Sequence, residues 1–117
     1  MNKIVNIIKP TGMTSHDVVS VVRKILNTKK VGHTGTLDPD ASGVLPICIG
    51  KATKVSELIL NKDKSYICEL TLGITTDTYD SSGEILERVD NFSFTKEEIE
   101  KAFDTQRGHI DQLPPMY

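Results

Sequence analysis

The sequence predicts an α+β fold, with a mixed or mainly antiparallel sheet flanked by helices. Apolar segments typical of strands and segments with helical spacing occur together, but they do not alternate strictly as they do in a parallel βαβ fold. The 117 residues, 38% hydrophobic and 26% charged, have the size and composition of one small globular domain. No repeat, low-complexity tract or interdomain linker breaks this pattern.

The first half of the chain predicts a strand, a helix and a second strand. Residues 2–9 are rich in β-branched side chains and end at the turn signal Pro10-Thr11-Gly12. Thr14 or Ser15 can cap a helix, with Asp17 three residues after Thr14, and the helix should end near residue 27. Residues 29–32 form a short basic segment, and the apolar residues 44–49 predict a buried strand.

The second half predicts two more helices and two more strands. Residues 52–60 have helical spacing, residues 65–72 alternate as a strand does, and residues 75–83 are a polar loop before a short strand at 84–89. The last helix has the clearest start, because Thr95 and Glu98 form a capping box and Phe94 and Ile99 a hydrophobic staple. This helix should run to about residue 104.

Hydropathy and cysteine spacing argue against a membrane protein and against a cysteine-based metal site. The longest apolar run, residues 44–49, is far shorter than the roughly 20 residues of a membrane span, and the N-terminus lacks a signal-peptide pattern. We therefore expect a cytoplasmic protein that does not insert into membranes. Cys48 and Cys68 lie in apolar segments without a second ligand at metal-binding spacing, so we expect both to be small buried hydrophobic residues.

Charge is distributed unevenly along the chain. Residues 1–60 hold eight Lys and Arg against four acids, whereas residues 61–117 hold six against twelve. A basic half suits a polyanionic partner and is the electrostatic signature of nucleic-acid binding. An uneven but merely solvated surface is the alternative.

A glycine-punctuated loop, residues 31–46, contains the most informative residue, Asp38. The run Asp38, Asp40, Ser42 and Gly43 begins like a calcium-binding EF-hand loop, but Ile49 stands where a bidentate Glu is required. The same run also resembles the nucleophile loop of haloacid-dehalogenase phosphatases, although no apolar strand directly precedes Asp38. A phosphate-binding Walker loop has the wrong glycine spacing.

Several longer blocks together resemble the TruB-type tRNA pseudouridine synthases. The blocks occur in the expected order over nearly the whole chain, which is far more specific than any one of them. They are residues 9–15 (KPTGMTS), 32–39 (GHTGTLDP), 41–46 (ASGVLP), 50–54 (GKATK), 64–66 (KSY), 76–83 (TDTYDSSG) and 108–117 (GHIDQLPPMY).

The resemblance implies an isomerase that converts a uridine in the T-loop of tRNA to pseudouridine. Asp38 would be the catalytic nucleophile, since a carboxylate can form a covalent intermediate without a metal or cofactor. Tyr66 matches the tyrosine that stacks on the target base, and His33 matches the histidine that fills the space left by the extruded base. The resemblance implies no cofactor and no metal.

Further contacts with the RNA are expected from the resemblance and from charge. Asp80 matches an acidic residue near the RNA, and four lysines are candidates for phosphate contacts: Lys9, Lys29, Lys30 and Lys54. Asp40 departs from the family, in which this position is usually apolar or small. We expect its carboxylate to face solvent.

The resemblance also implies that residues 1–117 are the N-terminal portion of a longer catalytic domain. An arginine that pairs with the nucleophile, a leucine against the base and a PUA domain would lie elsewhere, so this segment alone should be weakly active or inactive. Unpaired sheet edges would favour self-association.

Three alternative functions are kept open. They are an RNA-binding module without catalysis, a phosphatase that uses Asp38 and Asp40, and a relative of the guide-dependent dyskerin branch. The compact blocks favour a guide-free enzyme over the last of these.

Overall fold

The predicted fold class is confirmed by a computed structural model, which describes residues 1–116. The chain forms helices and antiparallel strands in two compact units. The first unit is Met1–Ser65, and the second comprises the described residues from Tyr66 onward. Among the described residues, no helix has the length and apolar character needed to cross a membrane.

A three-stranded antiparallel sheet forms the base of the first unit. Its strands are β1 (Lys3–Lys9), β2 (Val31–His33) and β3 (Gly43–Ile49), in the order β1-β3-β2. Strand β2 was not predicted, because a three-residue strand is too short to show alternation. The central strand contains Pro46, which lies opposite Asn6 and whose carbonyl accepts a hydrogen bond from the Thr34 backbone N–H at 3.1 Å.

The first helix, α1 (Ser15–Ile25), packs against this sheet. Thr14 is its N-cap, and the capping box is complete: the Thr14 hydroxyl accepts from the Asp17 N–H, and the Asp17 carboxylate accepts from the Thr14 N–H. The hydrogen bond from the Thr14 N–H to the carboxylate holds the pKa of Asp17 below its usual value. The buried apolar residues of helix and sheet form one core: Val18, Val19, Val22, Val31, Leu45, Ile47 and Ile49.

The predicted second helix is divided into two parts. A 3-10 helix, Gly50–Val55, precedes the short helix α2 (Ser56–Leu60). Gly50 has a φ of +65°, and a Cβ there would lie 2.2 Å from the carbonyl oxygen of Met1, so only glycine fits at this crossing. The Asn2 side chain accepts a hydrogen bond from the Lys51 N–H at 2.7 Å and so joins the N-terminal segment to the 3-10 helix.

The second unit contains a two-stranded antiparallel hairpin and a helix. The strands are β4 (Ile74–Thr76) and β5 (Ile85–Arg88), and the helix is α3 (Lys96–Asp104). The predicted capping box of α3 is confirmed, because Thr95 and Glu98 exchange both hydrogen bonds. Phe94 and Ile99 both line one apolar groove beside this helix, and their contact as a hydrophobic staple stays a prediction.

One predicted strand is wrong. Residues 65–72 alternate as a strand does, yet none of them pairs with another strand in the described part of the chain. Alternation predicts a strand only where a partner satisfies the backbone N–H and C=O groups, and the described residues supply none. The expectation for Cys68 on this segment is wrong too, since its side chain is exposed, whereas Cys48 is buried as predicted.

Candidate active site

Asp38 lies at the first position of a tight turn on the surface of the first unit. Its carbonyl accepts a hydrogen bond from the Ala41 N–H at 3.0 Å, which closes a four-residue turn. Pro39 occupies the second position, where its fixed φ favours a β-turn. The Asp38 side chain is exposed, so its carboxylate is accessible to a large substrate. Asp40 is exposed as well, in agreement with the prediction for that residue.

The strand register explains why this turn meets the start of α1. Lys9, at the end of β1, pairs with Gly43, at the start of β3, so the residues before β3 lie beside the residues after β1. One backbone contact between the two turns follows from this arrangement. The Gly12 N–H donates to the Pro39 carbonyl at 2.8 Å, which ties the β1–α1 turn to the Asp38 turn.

Ser15 anchors the residue that precedes Asp38. Its hydroxyl accepts a hydrogen bond from the Leu37 N–H at 2.9 Å and donates to the Leu37 carbonyl at 3.3 Å. Ser15 is only 2% exposed and lies in the first turn of α1, so the helix holds the backbone on the N-terminal side of Asp38. From the sequence, Ser15 was only a candidate helix cap, because its contact with Leu37 spans 22 residues and no local pattern reveals it.

Lys9 anchors the residue that follows Asp38. Its side chain is 0% exposed, and its Nζ donates to the carbonyls of Pro10 at 2.9 Å, Met13 at 2.6 Å and Pro39 at 3.2 Å. Three acceptors match the three donors of an ammonium group. The expected phosphate contact does not fit this placement, because the ammonium faces inward and its donors bind main-chain carbonyls.

His33 lies at the end of β2, and its ring is held by the same loop. The Nδ1 atom is 2.5 Å from the Gly35 carbonyl oxygen. Since a carbonyl can only accept, Nδ1 carries the hydrogen, and in the neutral ring Nε2 is then an acceptor. The hydrogen bond therefore fixes both the orientation of the ring and its tautomer.

Asp80 organises a loop in the second unit. Its Oδ1 accepts hydrogen bonds from the Thr78 hydroxyl at 2.8 Å, the Ser82 N–H at 2.8 Å and the Ser82 hydroxyl at 2.5 Å. These donors hold the pKa of Asp80 below its usual value, with the Ser82 hydroxyl as the largest cause. The carboxylate is therefore ionised at neutral pH and fixed in one orientation.

The remaining predicted site residues are exposed on their own units. Lys29, Lys30 and Lys54 lie on the surface of the first unit, where a phosphate group can reach them. Tyr66 is exposed at the start of the second unit, on the segment that was predicted to be a strand. Within residues 1–116, no three His, Cys, Asp or Glu side chains come together as a metal site would require.

Comparisons with known proteins agree with the resemblance seen in the sequence. The chain is 83% identical over 117 residues to the tRNA pseudouridine synthase B of Clostridioides difficile and 51% identical over 118 residues to that of Bacillus subtilis. It covers 39% and 38% of those proteins. A solved H/ACA ribonucleoprotein bound to a substrate RNA containing 2'-deoxyuridine is 54% identical over 49% of this chain and 18% of its own, with a TM-score of 0.47.

The α+β fold, the anchored aspartate turn and the identity to the two bacterial synthases define a chain of the pseudouridylate synthase class. The model of the TruB family pseudouridylate synthase N-terminal domain matches residues 23–117. The chain belongs to the TruB family. It spans about two fifths of the length of the curated relatives it matches.

Proposed function

We propose that this chain supplies the nucleophile of an enzyme that isomerises uridine to pseudouridine in the T-loop of tRNA. The observation that carries the proposal is the turn at Asp38, an exposed carboxylate whose two neighbours are both held by buried side chains. Fixed backbone on both sides restricts the region that the carboxylate can reach, and positioning a reactive group in this way favours its reaction with a bound substrate. The names of the relatives support the choice of tRNA as substrate.

The chemistry needs one carboxylate and no redox step. Asp38 attacks the sugar or assists its deprotonation, and the N1–C1' bond breaks with its electron pair going to the base. The base turns, and C5 bonds to C1' while the Asp38–C1' ester bond breaks or, if Asp38 removed a proton from the sugar, while that proton returns to the sugar. The proton on C5 is then lost and N1 gains one. Atoms and electrons balance, so the product is an isomer of the substrate. Extrusion of the nucleotide from its stack gives the carboxylate access to the sugar.

A direct test uses a full-length chimera, in which these 117 residues replace the matching segment of the Clostridioides difficile relative. We expect the chimera to form pseudouridine in a tRNA transcript, measured by nucleoside analysis, and to retain this activity in EDTA. A protein that binds tRNA without converting it would instead be the RNA-binding module. Magnesium-dependent hydrolysis of phosphoesters would identify the phosphatase.

Two further expectations belong to the same proposal. A tRNA substrate implies a cytoplasmic location, where tRNA is modified and used. The outer strands of both sheets have one edge without a partner among residues 1–116, so self-association of the isolated segment stays a prediction. Lys29, Lys30 and Lys54 stay candidates for phosphate contacts, and Tyr66 and Asp80 for contacts with the target nucleotide.

His33 gives a prediction about base extrusion. In the full-length chimera, His33→Asn keeps a donor near the position of Nδ1 and should preserve the Gly35 contact, but it removes the Nε2 side of the ring. We expect an unchanged Tm and a turnover about tenfold lower, the size of one lost hydrogen bond or contact. Turnover is measured on T-stem-loop RNA, and Tm is measured by thermal unfolding.

His33→Gln is the matched variant for this prediction. The longer glutamine side chain places its amide near the position of Nε2 in the histidine. It therefore lacks a donor to the Gly35 carbonyl. We expect a lower Tm together with reduced turnover. If both variants convert RNA as fast as the parent chimera, His33 has no part in extrusion.

A further inference from the structure

Tyr79 has a backbone conformation that is costly for its residue type. Its φ is +63°, in the left-handed region. Among residues 1–116, the other non-glycine residue with a positive φ is Asn27, whose short polar side chain tolerates that region. A bulky aromatic residue is a genuine outlier there. The surrounding loop must therefore impose this conformation.

Hydrogen bonds on both sides of Tyr79 impose it. The Thr76 hydroxyl donates to the Asp80 carbonyl at 2.7 Å, and the Thr78 hydroxyl donates to the Asp80 carboxylate at 2.8 Å. The Ser82 N–H donates to the same carboxylate oxygen, and the Asp77 carboxylate accepts from the Glu84 N–H at 2.8 Å. The loop between β4 and β5 is thus fixed by its own side chains, with Tyr79 at its outer part.

The Tyr79 side chain contributes little to its own unit. It is 67% exposed, so two thirds of its surface faces solvent. Glycine or asparagine would satisfy the same backbone without strain. A strained residue that the rest of the loop holds in place indicates a role in function rather than in stability.

We propose that Tyr79 is a stacking site for an unpaired base of the RNA substrate, an inference that rests on the proposed function. The loop carries Asp77, Asp80 and Glu84, which repel phosphate groups, so the contact must be with a base rather than with the backbone. The face of an aromatic ring accepts any base and needs no positive charge. Single-stranded loops of RNA are commonly recognised in this way.

The neighbours of Tyr79 favour a base over a protein partner. The aromatic anchor of a protein interface sits within a packed patch that excludes water. Here the adjacent residues are Thr78, Asp80, Ser81 and Ser82, which are short and polar. An exposed ring whose neighbours in the sequence are short and polar fits one planar ligand, such as a base that has left its helical stack.

The test measures RNA affinity in the full-length chimera with two substitutions. Tyr79→Phe keeps the ring and should bind a T-stem-loop RNA within about twofold of the parent Kd, whereas Tyr79→Asn fits the left-handed backbone and removes the ring. We expect the Kd of Tyr79→Asn to rise about tenfold, the usual effect of removing one stacked base contact. Its Tm should equal or exceed that of the parent, because the backbone strain is relieved.

The outcomes separate this inference from the proposed function. A parent chimera that forms pseudouridine, with an unchanged Kd for Tyr79→Asn, overturns the stacking site and leaves the ring for a protein partner. A parent chimera that forms no pseudouridine but loses affinity on Tyr79→Asn supports the stacking site and overturns the proposed function. A Kd that rises equally for Tyr79→Phe and Tyr79→Asn also overturns stacking, because the phenyl ring can stack as well as the phenol.

Discussion

Asp38→Asn should reduce the turnover of the full-length chimera by about 10⁴-fold, the scale seen when one member of a catalytic group is removed. An amide has the shape of the carboxylate but cannot attack the sugar or accept its proton. The side chain is exposed on a turn held by main-chain hydrogen bonds, so the fold should be unaffected. Pseudouridine formed in single-turnover reactions measures the loss.

Asp40→Asn is the matched control for this substitution. It changes the same type of side chain two residues away, also exposed and in the same turn. We expect turnover within about twofold of the parent, since an exposed surface carboxylate contributes little. Both variants should bind tRNA with unchanged affinity. Normal turnover by Asp38→Asn would refute its assignment as nucleophile.

The secondary structure was predictable wherever a local signal was sufficient. The capping box at Thr95 was visible because the interacting residues lie three positions apart, and Thr14 was one of two candidate caps for the first helix. Strand β3 was predictable because its residues form a continuous apolar run, which is typical of a buried strand. Residues 65–72 show the limit of this reasoning, since their alternation is genuine but a strand also depends on a partner far away in the sequence.

The sequence predicted the turn that carries Asp38, but not the buried side chains that hold this turn in place. Glycine, proline and aspartate in residues 32–39 predicted a turn that displays Asp38, and the structure has that turn. The supports for the turn, Ser15 and Lys9, act across 22 and 30 residues and follow from strand pairing rather than from spacing. Lysine is almost always a surface residue, so charge alone predicted a phosphate contact for Lys9 instead of a buried anchor.

Lys9→Met in the full-length chimera should lower the free energy of unfolding by about 2–4 kcal/mol, because it leaves main-chain carbonyls without a donor in a buried site. Methionine fills a similar volume, so the loss reports hydrogen bonds rather than a cavity. The Pro39 carbonyl keeps the Gly12 N–H but loses Nζ, so the Asp38 turn should shift rather than detach. Chemical denaturation measures the stability.

The same shift should lower turnover by about 10–100-fold, since a displacement on the order of 1 Å in a reacting group can cost that much. Lys3→Met, an exposed lysine at the other end of β1, should leave both stability and turnover close to those of the parent. A phosphate-binding role for Lys9 predicts the opposite pattern, with weaker RNA binding that strengthens at low salt and no loss of stability. A stable Lys9→Met variant with weak tRNA binding would therefore show that the inward orientation of Lys9 is not its working state.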